Sequence, residues 1–239
     1  MFVGDESVTT FLETQRPSPF LGRKGGPSLG AGEAPMLMVG TDPLEVDKLL
    51  RGGHLRCPGC EGELRPWGHA RTRGVRGEGA SARSRPQRSS CSVCAQTHVL
   101  LPAFMLARRA DSAAVIGTGL LANANGTGHR KIAVLLGQPV STARGWLRRF
   151  AARAGHWRLT FTTLLLALDA MAAPITATGS AVGDALAALG LAAAAATRMF
   201  GTRPPWQFAS SASRGLLLGP APVAAVAAPS VSVPAAAAG

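Results

Sequence analysis

Carboxylates all but vanish from the second half of this sequence. After Arg109 only Asp111, Asp169 and Asp184 remain, and no glutamate follows Glu78. Phosphoryl transfer through two metal ions needs clustered carboxylates to hold them, so this scarcity argues against a nuclease-type catalytic centre. A Gly-x-x-x-x-Gly-Lys phosphate loop, a Gly-x-Ser-x-Gly elbow and a His-Glu-x-x-His pair are missing as well. The expectation is a chain that is not an enzyme and takes no small-molecule substrate. Long apolar runs are also scarce. Residues 159–173 are apolar but include Asp169 and stop at Pro174, short of the roughly 20 residues a spanning helix needs. The opening residues, with Asp5, Glu6 and Glu13, lack the basic and apolar segments of a secretory signal. A cytoplasmic protein with no membrane partner is expected.

Cysteine is rare: the chain has 4, and all fall in two pairs, Cys57-Pro58-Gly59-Cys60 and Cys91-Ser92-Val93-Cys94. A Cys-x-x-Cys turn aims two sulfurs at one point, and two such turns supply the soft ligands of a tetrahedral zinc site. Pro58-Gly59 suits the tight knuckle that a metal turn needs. Residues 61–90 separate the pairs, more than the roughly 15–20 of the tightest template, so a long hairpin must fold back between them. Cys57, Cys60, Cys91 and Cys94 are therefore expected to bind Zn²⁺ as a closed structural site in a zinc ribbon. A dithiol redox pair or unmetallated buried thiols would be the competing readings, but no βαβ context accompanies the pairs. His54, His69 and His98 lie nearby, yet four thiolates already fill a tetrahedral shell. Metal-spaced cysteines also suit a reducing compartment.

The charge is lopsided. The whole chain has a net charge of +12. Residues 51–158 hold eighteen basic against four acidic residues, a local net of +14, while residues 1–50 are net negative. A segment this basic attracts polyanions and suits phosphate backbones. Abundant Arg beside abundant Ala, Gly and Pro also follows from biased codon usage, so basicity alone does not fix the partner.

The composition divides the chain into five stretches. Residues 1–35, rich in Gly, Pro and Ser, are expected to be a disordered extension. Residues 36–102 hold a short apolar strand at 36–39, a helix opened by Thr41-Asp42-Pro43 and closed by Gly52-Gly53, and the zinc ribbon. Leu44, Val46, Leu49 and Leu50 would be the buried side of that helix. Leu64, Trp67, Val99, Leu100 and Leu101 would form the small ribbon core. Gly77-Glu78-Gly79 reads as a hairpin tip. Arg71, Arg73, Arg76, Arg83, Arg85 and Arg88 around it make either a basic β-finger on nucleic-acid phosphates or a solvated loop. Residues 103–158 turn helical, with Asp111 as a candidate cap and Gly117 and Gly119 weakening the first helix. Residues 159–200 are Ala/Leu-rich helices, and 201–239 a Pro/Ala/Ser tail expected to be disordered. The fold class is thus mainly α with a small β zinc ribbon, a helix-turn-helix bundle after the ribbon, and disordered termini.

The helix-turn-helix rests on residues 132–149. A small residue, Ala133, stands where two helices would cross, and Gly137 permits the tight turn four residues on. Val140, Ala143, Trp146 and Leu147 return at helical spacing to close the core. The outward positions of the second helix, Ser141, Thr142, Arg144, Gly145, Arg148 and Arg149, are small, hydroxylic or cationic. Such side chains suit base edges and flanking phosphates in a major groove. Ser141, Thr142 and Arg144 are assigned to base edges. Arg130, Lys131, Arg148 and Arg149 are assigned to phosphates, joined by Arg71, Arg73, Arg85 and Arg88 of the ribbon. An ordinary helical hairpin with a solvated Arg face is the plainer alternative.

These motifs carry a family resemblance. The run Cys57-Pro-Gly-Cys60, Leu64-Arg-Pro-Trp67-Gly-His-Ala-Arg71, Cys91-Ser-Val-Cys94 and Thr97-His-Val-Leu-Leu-Pro102 resembles actinobacterial proteins of unassigned function that join a zinc ribbon to a helix-turn-helix. The continuation from Gly128-His129-Arg130-Lys131 through Gly145-Trp146-Leu147-Arg148-Arg149-Phe150 fits them too. Those proteins are similar in architecture to the DNA-binding front end of insertion-sequence transposases. The resemblance covers residues 36–158 and implies site-specific binding of double-stranded DNA, transposase-related or regulatory, in a nucleoid-associated protein without a catalytic domain. A protein-interaction adaptor, with the zinc ribbon holding a protein partner, is the alternative. Leu164, Leu165, Leu166, Leu168, Leu186, Leu189 and Leu191 would need cover, which points to a homodimer, or else to an Ala-rich tail with no fold.

Overall fold

The computed structural model describes residues 36–219; the expected extension 1–35 and the last part of the expected tail, 220–239, lie outside the described residues. Among the described residues the fold is mainly helical, with one small sheet. The first half holds β1 (Met36–Val39), α1 (Pro43–Arg51), β2 (Leu64–His69), β3 (Arg73–Arg76), β4 (Ser81–Ser84), β5 (Gln87–Cys91) and β6 (Thr97–Pro102). The second half holds α2 (Ala113–Ala124), α3 (His129–Leu135), α4 (Val140–Ala151), α5 (Ala154–Leu168), α6 (Ala181–Phe200) and α7 (Pro205–Ala212).

Local chemistry explains α1. Asp42 caps it by accepting the Leu44 amide at 2.9 Å, Pro43 fills the first turn, and Gly53 leaves it at φ +70°. Val46 and Leu50, one turn apart, are its buried pair, with Leu49 half-buried. Leu44, expected on that side, is 79% exposed. It precedes Val46 by two residues, about 200° around a helix of 3.6 residues per turn, so it must face away.

The sheet runs in the order β1-β6-β5-β2. β1 is parallel to β6, and the β6–β5 and β5–β2 pairs are antiparallel. Alternation along β6 splits two adjacent leucines between two cores. Leu100 joins Leu64, Leu55, Val46 and Leu50, while Leu101 joins Met38, Val75 and Met105. Trp67 does not join the ribbon core as expected; it is 62% exposed. The register slips between Pro66 and His69, and Gly68 within the slip has φ +97°. A bulge of this kind turns its side chains away from the sheet.

The β3–β4 hairpin closes as the Gly-Glu-Gly signal predicts, with the Gly77 amide donating to Ala80 O at 2.8 Å. It is docked along one side. The Arg76 amide donates to Ala110 O at 2.8 Å and the Ser112 amide to Arg76 O at 2.9 Å. The Arg76 guanidinium grips Asp111 through two bonds of 2.7 and 3.1 Å. Asp111 therefore does not cap α2. Ser112 does, accepting the Val115 amide at 3.2 Å. The shorter serine side chain reaches that amide one residue later, and the carboxylate is left to neutralise Arg76.

Two glycines that weaken α2 by propensity are there for close approach. A β-carbon on Gly117 would collide with the Trp206 ring, and one on Gly119 would press on Ile132 and Leu136 at 3.3 Å. α3 and α4 meet through Ile132, Ala133, Ala143, Trp146 and Phe150, all buried. Gly137 makes the turn between them at φ +60°. Val140, expected in this core, is 45% exposed. Ala143, Trp146 and Phe150, at three- and four-residue spacing, already fill the seam.

α5 and α6 pack along their length. Arg158 meets Asp184 near their N-termini at 3.6 Å, and Arg198 meets Asp169 near their C-termini at 2.8 Å. The two helices therefore run parallel, joined by a crossing segment. Trp157, Phe161 and Leu165 face the alanine-rich side of α6 through the shared core that also holds Trp146 and Phe150. Much of the apolar surface expected to need a second copy is thus covered within one chain. Helix α6 is long and apolar enough to cross a membrane by length and composition, and 56% of its apolar window is buried inside this fold.

Residues 201–219 depart from the expected tail. They form α7 and a closing turn, with Phe208, Ala209, Leu217 and Leu218 buried. The apolar cluster at 216–218 and the aromatic pair Trp206 and Phe208 supply enough burial to order a segment whose overall composition suggests disorder.

Candidate metal centre and cationic face

Two knuckles build the first site. One leads from residue 57 toward β2, and the other joins β5 to β6. The β2–β5 register sets Leu64 opposite Cys91, which draws the knuckles together at one end of the sheet. The four sulfurs lie within 4.8 Å of one another. Cys57 Sγ is 3.8 Å from Cys94 Sγ, and Cys60 Sγ is 3.4 Å from Cys91 Sγ. A tetrahedral metal with sulfur bonds of about 2.3 Å requires sulfurs about 3.8 Å apart. The cluster is near that spacing and could hold a metal ion, with soft donors only. Cys57 and Cys91 are buried, while Cys60 and Cys94 are exposed.

The backbone tunes the thiols. The Val93 and Cys94 amides point at Cys91 Sγ at 3.4 and 3.5 Å. Burial pushes Cys91 upward, but those two amides together with Cys60 and Cys94 outweigh it and bring the thiol down to about 6. Burial dominates at Cys57 and pushes it up to about 12. Gly62 allows the knuckle to close: a β-carbon there would strike Cys91 Sγ at 2.8 Å. His98 is fully buried, with Nε2 3.4 Å from Cys57 Sγ. Its place beside the sulfurs, four residues past the second knuckle, was visible only as proximity in sequence. His54 and His69 are exposed.

The second candidate site is the outer side of α3 and α4. Arg130, Lys131, Ser141, Arg144, Arg148 and Arg149 are exposed, and Thr142 is half-buried. Arg149 Nη1 donates to Gly145 O at 3.3 Å, which holds that side chain along the helix. Burial, then the field of Arg149, lowers the Arg109 guanidinium. Around the ribbon, Arg71, Arg73 and Arg85 are exposed. Arg88 differs: it is half-buried and its guanidinium lies 3.4 Å from Thr97 Oγ1, across the β5–β6 pair. The three late carboxylates are engaged separately, Asp111 by Arg76, Asp169 by Arg198, and Asp184 by Thr178. No protein-family profile, curated protein or solved structure matches this chain.

Proposed function

We propose that this chain is a sequence-specific double-stranded DNA-binding protein: a zinc ribbon on Cys57, Cys60, Cys91 and Cys94, followed by a helix-turn-helix that reads DNA through α4. One observation carries the reading. α4 buries Ala143, Trp146 and Phe150 in the core it shares with its neighbouring helices and turns Ser141, Arg144, Arg148 and Arg149 outward. A helix standing proud of its own support, with hydroxyl and guanidinium groups outermost, matches what a major groove accepts. Arg130 and Lys131 on α3, and Arg71, Arg73 and Arg85 around the ribbon, are assigned to phosphates, and their exposure supports that assignment. Arg88 contributes less, since its head group is turned into the sheet.

Zn²⁺ is the ion the donor set favours, because four thiolates select a soft, tetrahedral metal. Its chemistry is structural: it joins the two knuckles and supplies folding energy to a ribbon with a small core. The separate engagement of Asp111, Asp169 and Asp184 supports a binding role over metal-assisted phosphoryl transfer. The resemblance to zinc-ribbon and helix-turn-helix proteins related to transposase front ends agrees with this reading, as does the basic charge of residues 51–158. Selection of bound fragments from random genomic DNA tests it, with bound zinc measured on the same sample. Enrichment of one sequence by zinc-loaded protein is expected. Recovery of unenriched DNA at every salt concentration would refute the sequence-specific reading.

A further inference from the structure

Trp67 is held where an apolar ring has no structural use. The strand that carries it, β2, is the sheet edge. Pro66, which has no amide to donate, stands next to it, and the slip with Gly68 at φ +97° follows. These features re-aim the indole outward and leave it 62% exposed. The ribbon core is filled without it, by Leu64, Leu100 and their neighbours. The other tryptophans differ. Trp146 and Trp157 are buried and Trp206 is covered against Gly117.

The surroundings of the ring select its partner. Arg65, His69, Arg71 and Arg85 are exposed nearby in sequence or across the strand pair, and Arg65 shares its charge with Glu63 at 3.7 Å. An apolar protein surface would meet these cations at a cost. A polyanion with flat apolar faces meets both features favourably. Base pairs inside a duplex hide those faces in the stack, whereas unpaired bases offer them. We infer that Trp67 is a stacking platform for unpaired bases of DNA, next to the duplex read by α4. The inference rests on the DNA-binding reading for the choice of DNA, but the platform itself uses a different strand and a different physical force. It gives the ribbon a task beyond phosphate contact: holding a strand that is melted, flipped or at an end.

The test uses the full-length, zinc-loaded protein with an oligodeoxythymidylate, an oligouridylate of equal length, and a fully paired duplex carrying the selected site. Trp67→Ala and Trp67→Phe are compared with the wild type by titration and by tryptophan emission. Oligodeoxythymidylate is expected to quench the wild-type emission. Trp67→Ala should weaken single-strand binding roughly tenfold, and Trp67→Phe should restore most of it, since one aromatic face carries the stack. The salt slope of that binding should stay constant, because a stack releases no counterions. Duplex binding by Trp67→Ala should stay within about twofold of wild type, as the ring is not assigned to the groove. Unchanged single-strand affinity in Trp67→Ala would overturn the inference. So would an equal loss on single strand and duplex, which would mark the ring as a structural support. Tighter binding of oligouridylate would overturn the choice of DNA. A Trp67-dependent single-strand complex without any specific duplex binding would sink the groove reading alone and leave the platform in place.

Discussion

At the scale of single residues, the four cysteines and the outward side chains of α4 make the sharpest predictions. Purified protein should contain about one zinc per chain, measured by elemental analysis, and Cys57→Ser or Cys91→Ser should lose both the metal and the ribbon fold. Acid should also release the ion, because the thiolates that hold it must give way to thiols as pH falls. On α4, Arg144→Ala should cost about 1–3 kcal/mol on the selected site and relax one base position. Arg149→Ala should weaken all sequences alike and lower the salt slope by about 1. A competition assay across salt concentrations separates the two. Asp184 gives a pH prediction. Its carboxylate accepts the Thr178 amide at 2.7 Å and hydroxyl at 2.9 Å, which hold it below the usual 3.8. The stability it contributes is full above that ordinary value and fades as pH drops through the lowered one. Asp184→Asn should flatten the acid limb of a thermal-stability profile. The cysteine cluster was legible because its spacing alone marks it. The exposure of Trp67 was not, since an apolar residue in a strand is read as core unless the bulge beside it is known.

At the scale of elements, the hairpin carries the least obvious consequence. Its β3 strand is tied to the start of α2 by two backbone bonds and by the grip of Arg76 on Asp111, whose side chain is 3% exposed. Thr118 on α2 also donates to Glu78 at the tip, at 3.1 Å. The basic hairpin is thus a bracket fixed to the start of α2. Asp111→Ala should destabilise the protein by about 1–3 kcal/mol, the usual worth of a charged hydrogen bond. It should also weaken DNA binding more than a change to an exposed carboxylate such as Glu61 does, when measured at equal folded fraction. Gly117→Ala should cost about 1–3 kcal/mol through overpacking against Trp206, readable by thermal melting. The reasons for legibility differ among elements. α1 announced itself through Asp42, Pro43 and Gly52-Gly53, and the α3–α4 turn through Ala133 and Gly137. In both, the chemistry that stops or starts a helix is local. The parallel course of α5 and α6 was invisible. Alanine-rich helices look alike from every side in sequence, and the ion pairs that orient them, Arg158 with Asp184 and Asp169 with Arg198, join residues far apart along the chain.

At the scale of the whole molecule, the last described residues add to the Arg76–Asp111 grip in holding the two halves together. Arg153 donates to Leu216 O at 2.8 Å, Trp157 to Leu217 O at 3.0 Å, and Arg109 to Leu218 O at 3.0 Å. The Ala107 amide donates to Gly215 O at 2.9 Å, and Ser210 reaches Met105 O at 2.6 Å. Gly215, at φ +74°, lies so close to Met38 and Leu101 that a β-carbon would meet them at 3.1 and 3.2 Å. A chain ending at Phe200 would lose the burial of Phe208, Leu217 and Leu218, worth roughly 5–9 kcal/mol at 1.5–3 kcal/mol each. That rivals the whole stability of a typical domain, so calorimetry of the shortened chain should show a lost or sharply lowered transition. The same geometry sets a timetable. Arg109 and Leu218 are partners separated by 109 positions, and Met105 and Ser210 by 105. During synthesis the two cysteine knuckles can meet and α3 can pair with α4 soon after each emerges, because those contacts are nearer in sequence, 37 positions for Cys57 and Cys94. The seam between the two halves, already held on one side by the grip of Arg76 on Asp111, is completed only when residues 210–218 have left the ribosome. Met38 and Leu101, already packed with Val75 and Met105, lack the close approach of Gly215 for that interval, so the last step of folding waits for residues 210–218, and a copy stalled or clipped before them would leave that side of the seam exposed.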